Sequence, residues 1–355
     1  MAGPVGFEPT ILGSEGPRLG PGSTTGPAAI PSLLPLLLPW AIRLEREPLV
    51  QTQEIPGLEF RNFRSGDDSV FFEILSDSFG PLEYVPRVKA EIAGPYFIRE
   101  GSFIAEKNGS AVGCVGLRNF PHKKWLDIRY LAVRDSESRA LVAEKLVAEA
   151  VRHADSIHCE TLKAHVPAVQ PYVDVYKRSG FEPVRRSLRI GWDLTVQPTE
   201  QSKILTMELT KESANDAAEV WVEGLRPYWD WWIEEQGGPE TLGDWVKKSV
   251  GNDQGWIGAF LDEKLVGLAI LRPDAYGPGQ ARFNGAYALP KYRGHGVGSA
   301  LMKATVREAQ RLHQKEMKVY TLAFLDHLAP GAILYLRSGG RIEAEYLQLE
   351  RKTSS

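Results

Sequence analysis

The sequence predicts a mixed α/β fold, an α+β mixed sheet built twice in tandem. Three observations carry that prediction. Strand-like and helix-like runs alternate from Leu58 onward, the pattern of helices packed on a sheet. One element order then runs through the chain twice, over residues 58–194 and 204–351, joined by the linker "TVQPTEQSK" at 195–203; each pass has the length of an ordinary domain. Both passes also close a short helix with a matching phrase, "VYKRSGF" at 175–181 and "LYLRSGG" at 334–340.

Each pass opens with a short strand, "LEFRNF" or "ILTMEL", followed by a polar helix start, "RSGDDSVFFEIL" or "TKESANDAAEVW". Asp67 and Thr210 or Ser213 are expected to cap these helices, their side-chain oxygens accepting an orphan N–H of the first turn. Two strands joined by a tight polar turn come next, "SFIAEKNGSAVGCVGL" turning at Asn108-Gly109 and "GWIGAFLDEKLVGLAIL" turning at Asp262 to Lys264. A strand ending in "RYLAV" or "GAYAL" leads into a helix with apolar residues at helical spacing: Leu141, Leu146, Val147, Ala150 and Val151 in one copy, and Leu301, Met302, Thr305, Val306, Ala309 and Leu312 in the other. A fifth strand, "ETLKAHV" or "KVYTLAF", precedes the short closing helix, where Gly180 and Gly339 are expected to take the left-handed conformation that ends a helix cheaply.

Composition narrows the function. Over 355 residues, 42 basic and 45 acidic side chains mix to a net charge of -3, which disfavours a nucleic-acid partner. Cys114 and Cys159 are far apart in apolar runs, with no CxxC or Cys/His spacing for a metal. They read as core thiols of a reducing compartment, and the expected location is cytoplasmic. The apolar run "IPSLLPLLLPWAI" at 30–42 is interrupted by Pro31, Pro35 and Pro39 and is too short to span a bilayer. It also lacks the basic front of a secretory signal.

Residues 1–55 are expected to be a disordered or non-native extension. "VGFEPT" at 5–10 is what one frame of a transfer-RNA T-arm would encode, GGN-TTC-GAA-CCN giving Gly-Phe-Glu-Pro. After Met1 there is no methionine before Met207, so the expected true start uses another codon, at Leu49 or Val50. The upstream DNA tests this: a tRNA gene should overlap codons 5 to 10.

"KYRGHGVGSALM" at 291–302 places glycines at 294, 296 and 298 directly before a helix. A Walker A loop needs Lys-Ser/Thr after its last glycine, whereas Ser299-Ala300 follow Gly298. A dinucleotide fingerprint needs G-x-G-x-x-G. Neither fits. A helix N-terminus does have unpaired N–H groups and partial positive charge, and glycines let an anion approach them closely. The arrangement reads as a cradle for a pyrophosphate; its other reading is a glycine-rich turn that merely reverses direction.

The element order, "ALPKYRGHGVGSALM" and "LYLRSGG" resemble the GNAT superfamily of acetyl-coenzyme A dependent N-acyltransferases, whose signature Arg/Gln-x-x-Gly-x-Gly/Ala is matched by Arg293, Gly296 and Gly298. The resemblance covers both copies. It implies acetyl-CoA as cosubstrate, with no metal, and a cradle of Arg293, Gly294, His295, Gly296, Val297, Gly298 and Ser299 for the coenzyme A pyrophosphate. It further implies that Tyr287, Ala288 and Leu289 line a strand edge that pairs with the pantetheine arm and offers an N–H to the thioester oxygen. Tyr335, at the start of the Tyr-x-x-x-Gly helix, is implied as the general acid; its other reading is an aromatic packed under the helix. Three departures stand out: the family's usual Asn upstream of Tyr335 is missing, the Phe that usually follows the glycine is Gly340, and the fourth strand has no carboxylate. Asp326, His327 or water alone then remain as base.

The first copy reads "VRDSESRALVAEKL" at the equivalent place. Arg134 is kept, no glycine is, and Asp135 and Glu137 would repel a pyrophosphate, so this copy is expected to be degenerate. In the second copy "LRPYWDWWIEEQGGPETLGDWV" at 225–246 sets Trp229, Trp231, Trp232 and Trp245 beside Glu234 and Glu235. These form either a lip for a cationic amine or glue between the halves. The leading reading is an N-acyltransferase acting on a small-molecule or peptide amine. Its rival is a non-catalytic acyl-CoA binding or sensing protein. Nothing in the sequence specifies an oligomeric state.

Overall fold

A computed structural model describes residues 54–79, 85–119, 125–134, 138–170, 172–195, 203–252 and 255–353. Of the expected extension at 1–55 only Glu54 and Ile55 fall within them, and of the linker at 195–203 only Thr195 and Lys203. Asp135 and Glu137, the carboxylates read as closing the first copy's cradle, also lie outside the described residues.

The N-terminal copy runs β1 (Leu58–Asn62), α1 (Asp68–Phe79), α2 (Val85–Ala93), β2 (Phe97–Lys107), β3 (Ser110–Asn119), β4 (Trp125–Val133), α3 (Arg139–Ser156), β5 (Thr161–Pro167), α4 (Tyr172–Arg178) and β6 (Glu182–Asp193). The C-terminal copy runs β7 (Leu205–Glu208), α5 (Ala214–Leu225), α6 (Asp230–Glu235), α7 (Pro239–Ser249), β8 (Trp256–Leu261), β9 (Lys264–Gly277), β10 (Gln280–Ala288), α8 (Val297–Arg311), β11 (Glu316–Ala323), α9 (Pro330–Arg337) and β12 (Arg341–Lys352). Local chemistry explains the turns. Asn108 (φ 50) with Gly109 (φ 78), and Asp262 (φ 47) with Glu263 (φ 60), put two left-handed residues at each hairpin tip, as a type I′ turn requires. Gly180 (φ 83) and Gly339 (φ 88) end α4 and α9 in the left-handed region.

The expected side-chain caps do not form at α5. A 3-10 turn (Lys211–Ser213) precedes it, neither Thr210 nor Ser213 bonds the helix start, and the Thr210 hydroxyl donates to Glu212 instead. The Asp67 carboxylate accepts from the backbone N–H of Arg64 (2.7 Å) and from Arg61, on the side away from the helix.

Among the described residues twelve strands form one sheet, in the order β1-β2-β3-β4-β5-β12-β6-β11-β10-β9-β8-β7. In each half two helices or more cover each face. Leu117, Ile128, Leu146 and Val166 share a core with α3 and α4, while Phe71, Ile74 and Tyr130 share one with α1 and α2. The C-terminal half repeats the arrangement with α8 and α9 on one face and α5 to α7 on the other.

Two strands that the sequence reading did not identify, β6 and β12, join the halves by exchange. β12 lies between β5 and β6, antiparallel to both, and residues 186–193 of β6 pair antiparallel with the whole of β11. The last strand of each copy therefore completes the sheet of the other. The cores follow: Leu188, Ile190 and Trp192 of β6 pack with α8, whereas Leu349 of β12 packs with α3. Above the inserted β12, the His165 imidazole Nε2 meets the Ser187 hydroxyl at 2.7 Å, linking β5 to β6.

Candidate active site

Each half contains one parallel pair that separates. β10 and β11 pair only through residues 280–282 and 316–318. Beyond that point β10 stays with β9 and β11 with β6, and a V-shaped notch opens between 283–288 and 319–323. The register of β10 against β9 skips Asn284, and Gly285 takes φ 117, a β-bulge that re-aims the strand edge.

Backbone directions decide what the notch can hold. Leu289 donates its N–H to Val266 O at 3.0 Å, toward β9, and Ala286 donates to Tyr335 Oη at 3.1 Å, across the notch. Amide groups alternate along a strand, so Tyr287 follows Leu289 and Ala288 follows Ala286. Of the predicted strand-edge residues only Ala288 faces the notch with its backbone. Ala286, one residue before the predicted edge, turns a second N–H there and donates it to Tyr335 Oη. The Tyr287 ring packs edge-on against Trp221 at 6.1 Å, its hydroxyl donates to Asn284 O at 2.5 Å, and burial pushes its pKa up to about 12.

The glycine loop leads from the notch into α8. Gly294 (φ 80) and Gly296 (φ 86) are left-handed, and no side chain caps the helix at Gly296. The N–H groups of residues 294–299 find no acceptor among the described residues; the first to do so is Ala300, which donates to Gly296 O at 3.0 Å. Six successive donors thus stand open at the positive end of a 15-residue helix, the arrangement that binds anions. A Cβ on Gly298 would stand 2.8 Å from Leu334 Cδ2, so this glycine lets α9 close on α8. Val297 is buried, His295 and Ser299 are exposed, and His295 Nδ1 contacts Arg293 O at 2.9 Å.

The Arg293 guanidinium turns away from the open amides. It donates to Ala288 O (3.3 Å), Gly224 O (3.0 Å) and Arg226 O (2.6 Å), tying the loop to the end of α5. Arg134 does the same in the first copy, reaching Ala111 O at 2.9 Å and Asp77 of α1 at 2.9 Å. The arginine common to both copies is a strut. From Ser299 a cleft of about 1070 Å³ continues between α8, the end of α9 and the ends of β6 and β12, bordered by Trp192, Lys303, Arg337 and Ser338.

Tyr335 stands inside the notch, 4 % exposed, between the rings of Phe283 (5.4 Å) and Trp192 (6.0 Å). Burial raises its pKa well above the ordinary tyrosine value. Its oxygen accepts from Ala286, and its own hydrogen has no acceptor among the described residues. Tyr176, its counterpart in the first copy, is fully buried with a hydroxyl that has no partner there.

At the mouth, Tyr228, Phe324 and His327 form a row of rings, with His327 stacked on Phe324 at 4.3 Å. Asp326 Oδ1 and His327 Nδ1 are 2.6 Å apart and both side chains are largely exposed; the bond to His327 holds the Asp326 carboxyl below its usual range. The tryptophan segment divides. Trp232 is buried in the core with Trp221, and Trp245 packs on both Trp221 and Trp256. Trp231 lies under the Arg185 guanidinium of β6 at 3.7 Å, and Glu235 is ion-paired with Lys163 of β5. Those two contacts bind α6 to the N-terminal half, as glue would.

Among the described residues no helix is long and apolar enough to cross a membrane. The chain belongs to the acetyltransferase (GNAT) family, whose model matches residues 70–181 and again 209–333, together more than half of the chain. No curated protein sequence matches it significantly. Among solved structures, a GCN5-related N-acetyltransferase from Sphaerobacter thermophilus is similar with a TM-score of 0.64 at 16 % identity, over 85 % of this chain and 98 % of that one. A tandem GNAT protein from the clavulanic acid biosynthesis pathway has a TM-score of 0.55 at 15 % identity, over 84 % and 99 %. An acetyltransferase of the family from Colwellia psychrerythraea has a TM-score of 0.52 at 14 % identity, over 83 % and 100 %. At these identities the likeness concerns the fold.

Proposed function

We propose that the chain is an N-acyltransferase that moves an acetyl group from acetyl-CoA to the amine of a small molecule or peptide, using the notch of the C-terminal copy. The observation that carries this reading is the alignment of six open amides at 294–299 with a notch that ends at a buried tyrosine hydroxyl. The amides suit a pyrophosphate, the cleft beyond Ser299 suits the nucleotide end, and the edge of β10 suits an extended amide-containing arm. Acetyl-CoA, when bound, would supply the thioester.

Within the site the chain's own residues divide the work. The N–H of Ala288 is placed for a carbonyl oxygen as it gains negative charge, where preorganised donors act most strongly, while that of Ala286 holds the Tyr335 oxygen. The acceptor amine arrives neutral, attacks directly and sheds its proton to solvent. Tyr335, kept protonated by burial, gives its proton to the departing thiolate. The N-terminal copy, without glycines at the equivalent loop, is a degenerate partner, and the two copies are taken as residues 58–194 and 204–351.

Consumption of acetyl-CoA in the presence of a panel of amines tests the reading, with Tyr335→Phe as the informative variant. Loss of that hydroxyl is expected to lower kcat about 100-fold while leaving the KM for acetyl-CoA nearly unchanged. Coenzyme A binding without turnover by any amine would favour the acyl-CoA sensor instead. Equal turnover by the variant would remove Tyr335 from the mechanism.

A further inference from the structure

The phrase "LYLRSGG" lacks the aromatic residue that "VYKRSGF" carries at its end, and the structure shows where the ring has gone. In the N-terminal copy Phe181 meets Tyr176 edge-on, with centroids 5.4 Å apart and planes at 86°. In the C-terminal copy Gly340 holds the place of Phe181. Two rings meet Tyr335 edge-on: Phe283 of its own copy, at 5.4 Å and 72°, and Trp192, at 6.0 Å and 75°, which arrives from β6 of the other copy.

Three further contacts fix that indole. Its Nε1 donates to Ser338 O at 3.2 Å, at the end of the helix that carries Tyr335. It stands edge-on to Phe283 at 6.1 Å, directly before the bulge of β10. Opposite Met317, near the vertex of the notch, it is 6 % exposed. A Cβ on Gly340 would lie 2.9 Å from Trp192 Cε2 and Cζ2 and 2.6 Å from Ile190 Cγ2. Those atoms belong to a rigid ring and a packed branch of the buried strand, so a side chain at 340 requires the indole and the Ile190 branch to shift.

We propose that Trp192 is a positioning residue for Tyr335, contributed in exchange by the N-terminal copy, and that Gly340 is glycine to admit it. The proposal rests on the acyltransfer reading for its kinetic consequence, though not for its packing consequence. Tyr335 can tilt only if the ring beside it yields. With the indole in place the phenol oxygen is held on the N–H of Ala286, and its hydrogen is aimed into the notch. The degenerate copy thus supplies part of the working site without any cofactor loop of its own.

A set of variants in the full-length chain tests this: Trp192→Ala, Trp192→Phe, Gly340→Phe, and the pair Trp192→Ala with Gly340→Phe. Trp192→Ala is expected to lower kcat for acetyl-CoA consumption about tenfold or more with the KM for acetyl-CoA within about twofold, and Tyr335→Phe should add little in that background, because residues acting as one unit are not additive. Trp192→Phe and the paired variant, which restores the ring from the family's usual position, should regain activity. A full additional loss from Tyr335→Phe in the Trp192→Ala background overturns the proposal, as does a change in KM alone. Thermal unfolding reads the packing without reference to activity. Gly340→Phe should lower Tm in the natural background and less so beside Trp192→Ala; equal lowering in both overturns the proposal. A natural chain that consumes no thioester with any amine defeats the functional reading, and the unfolding comparison still decides the pairing of Trp192 with Gly340.

Discussion

Tyr335 and Tyr176 lie in the last turn of matching helices, not at their starts as the sequence reading expects, and differ in what their hydroxyls meet, a difference that the sequence cannot display because both stand in the same phrase. The deciding neighbours are a backbone N–H and a ring from another copy. His165 shows how far burial sets chemistry at a single residue. Desolvation pushes its pKa down from 6.5 to about 3, so the imidazole above β12 is neutral in the folded chain. The unfolded chain protonates it below pH 6.5, binding more protons than the folded state, and stability is lost as pH falls from 6.5 toward 3 by up to about 1.4 kcal/mol per unit. Urea midpoints measured between pH 6.5 and 4 should fall less steeply for His165→Gln than for the natural chain. Equal slopes would show that His165 does not titrate across unfolding.

At the scale of elements, features that depend on neighbours in the chain were legible and those that depend on distant partners were not. The Asn108-Gly109 hairpin, the left-handed Gly180 and Gly339 and the open start of α8 follow from local backbone chemistry, and all are present. The signature marks Arg293 as part of the cofactor loop; that its side chain ties the loop to α5 is visible only in the fold. The partners of β6 and β12 were invisible, because alternation tells which face a residue takes and says nothing of which strand lies beside it. The open helix start has a direct test. Gly296→Asp places a carboxylate at a left-handed position (φ 86), costing about 1–2 kcal/mol in backbone strain and opposing an anion. Coenzyme A at millimolar concentration should raise the Tm of the natural chain by mass action and leave that of the variant unmoved. A matching rise in both would place the pyrophosphate elsewhere.

For the molecule as a whole, the exchange of β6 and β12 makes each copy depend on the other. Residues 204–351 alone would expose the edge of β11 and leave β12 without either neighbour, and an unpaired edge beside a bared core aggregates. Either copy expressed alone is expected to be insoluble, and the two expressed together as separate chains should assemble into a soluble pair that co-purifies. A soluble, monomeric 204–351 with a cooperative unfolding transition would contradict this. The dependence also bears on heredity. In a gene assembled from two related segments, the segment without the glycine loop looks expendable, yet any deletion that removes it carries away β6 and the wall beside Tyr335. Under the proposed function, selection for the segment with the loop is thereby selection for the other, and the pair is inherited as one.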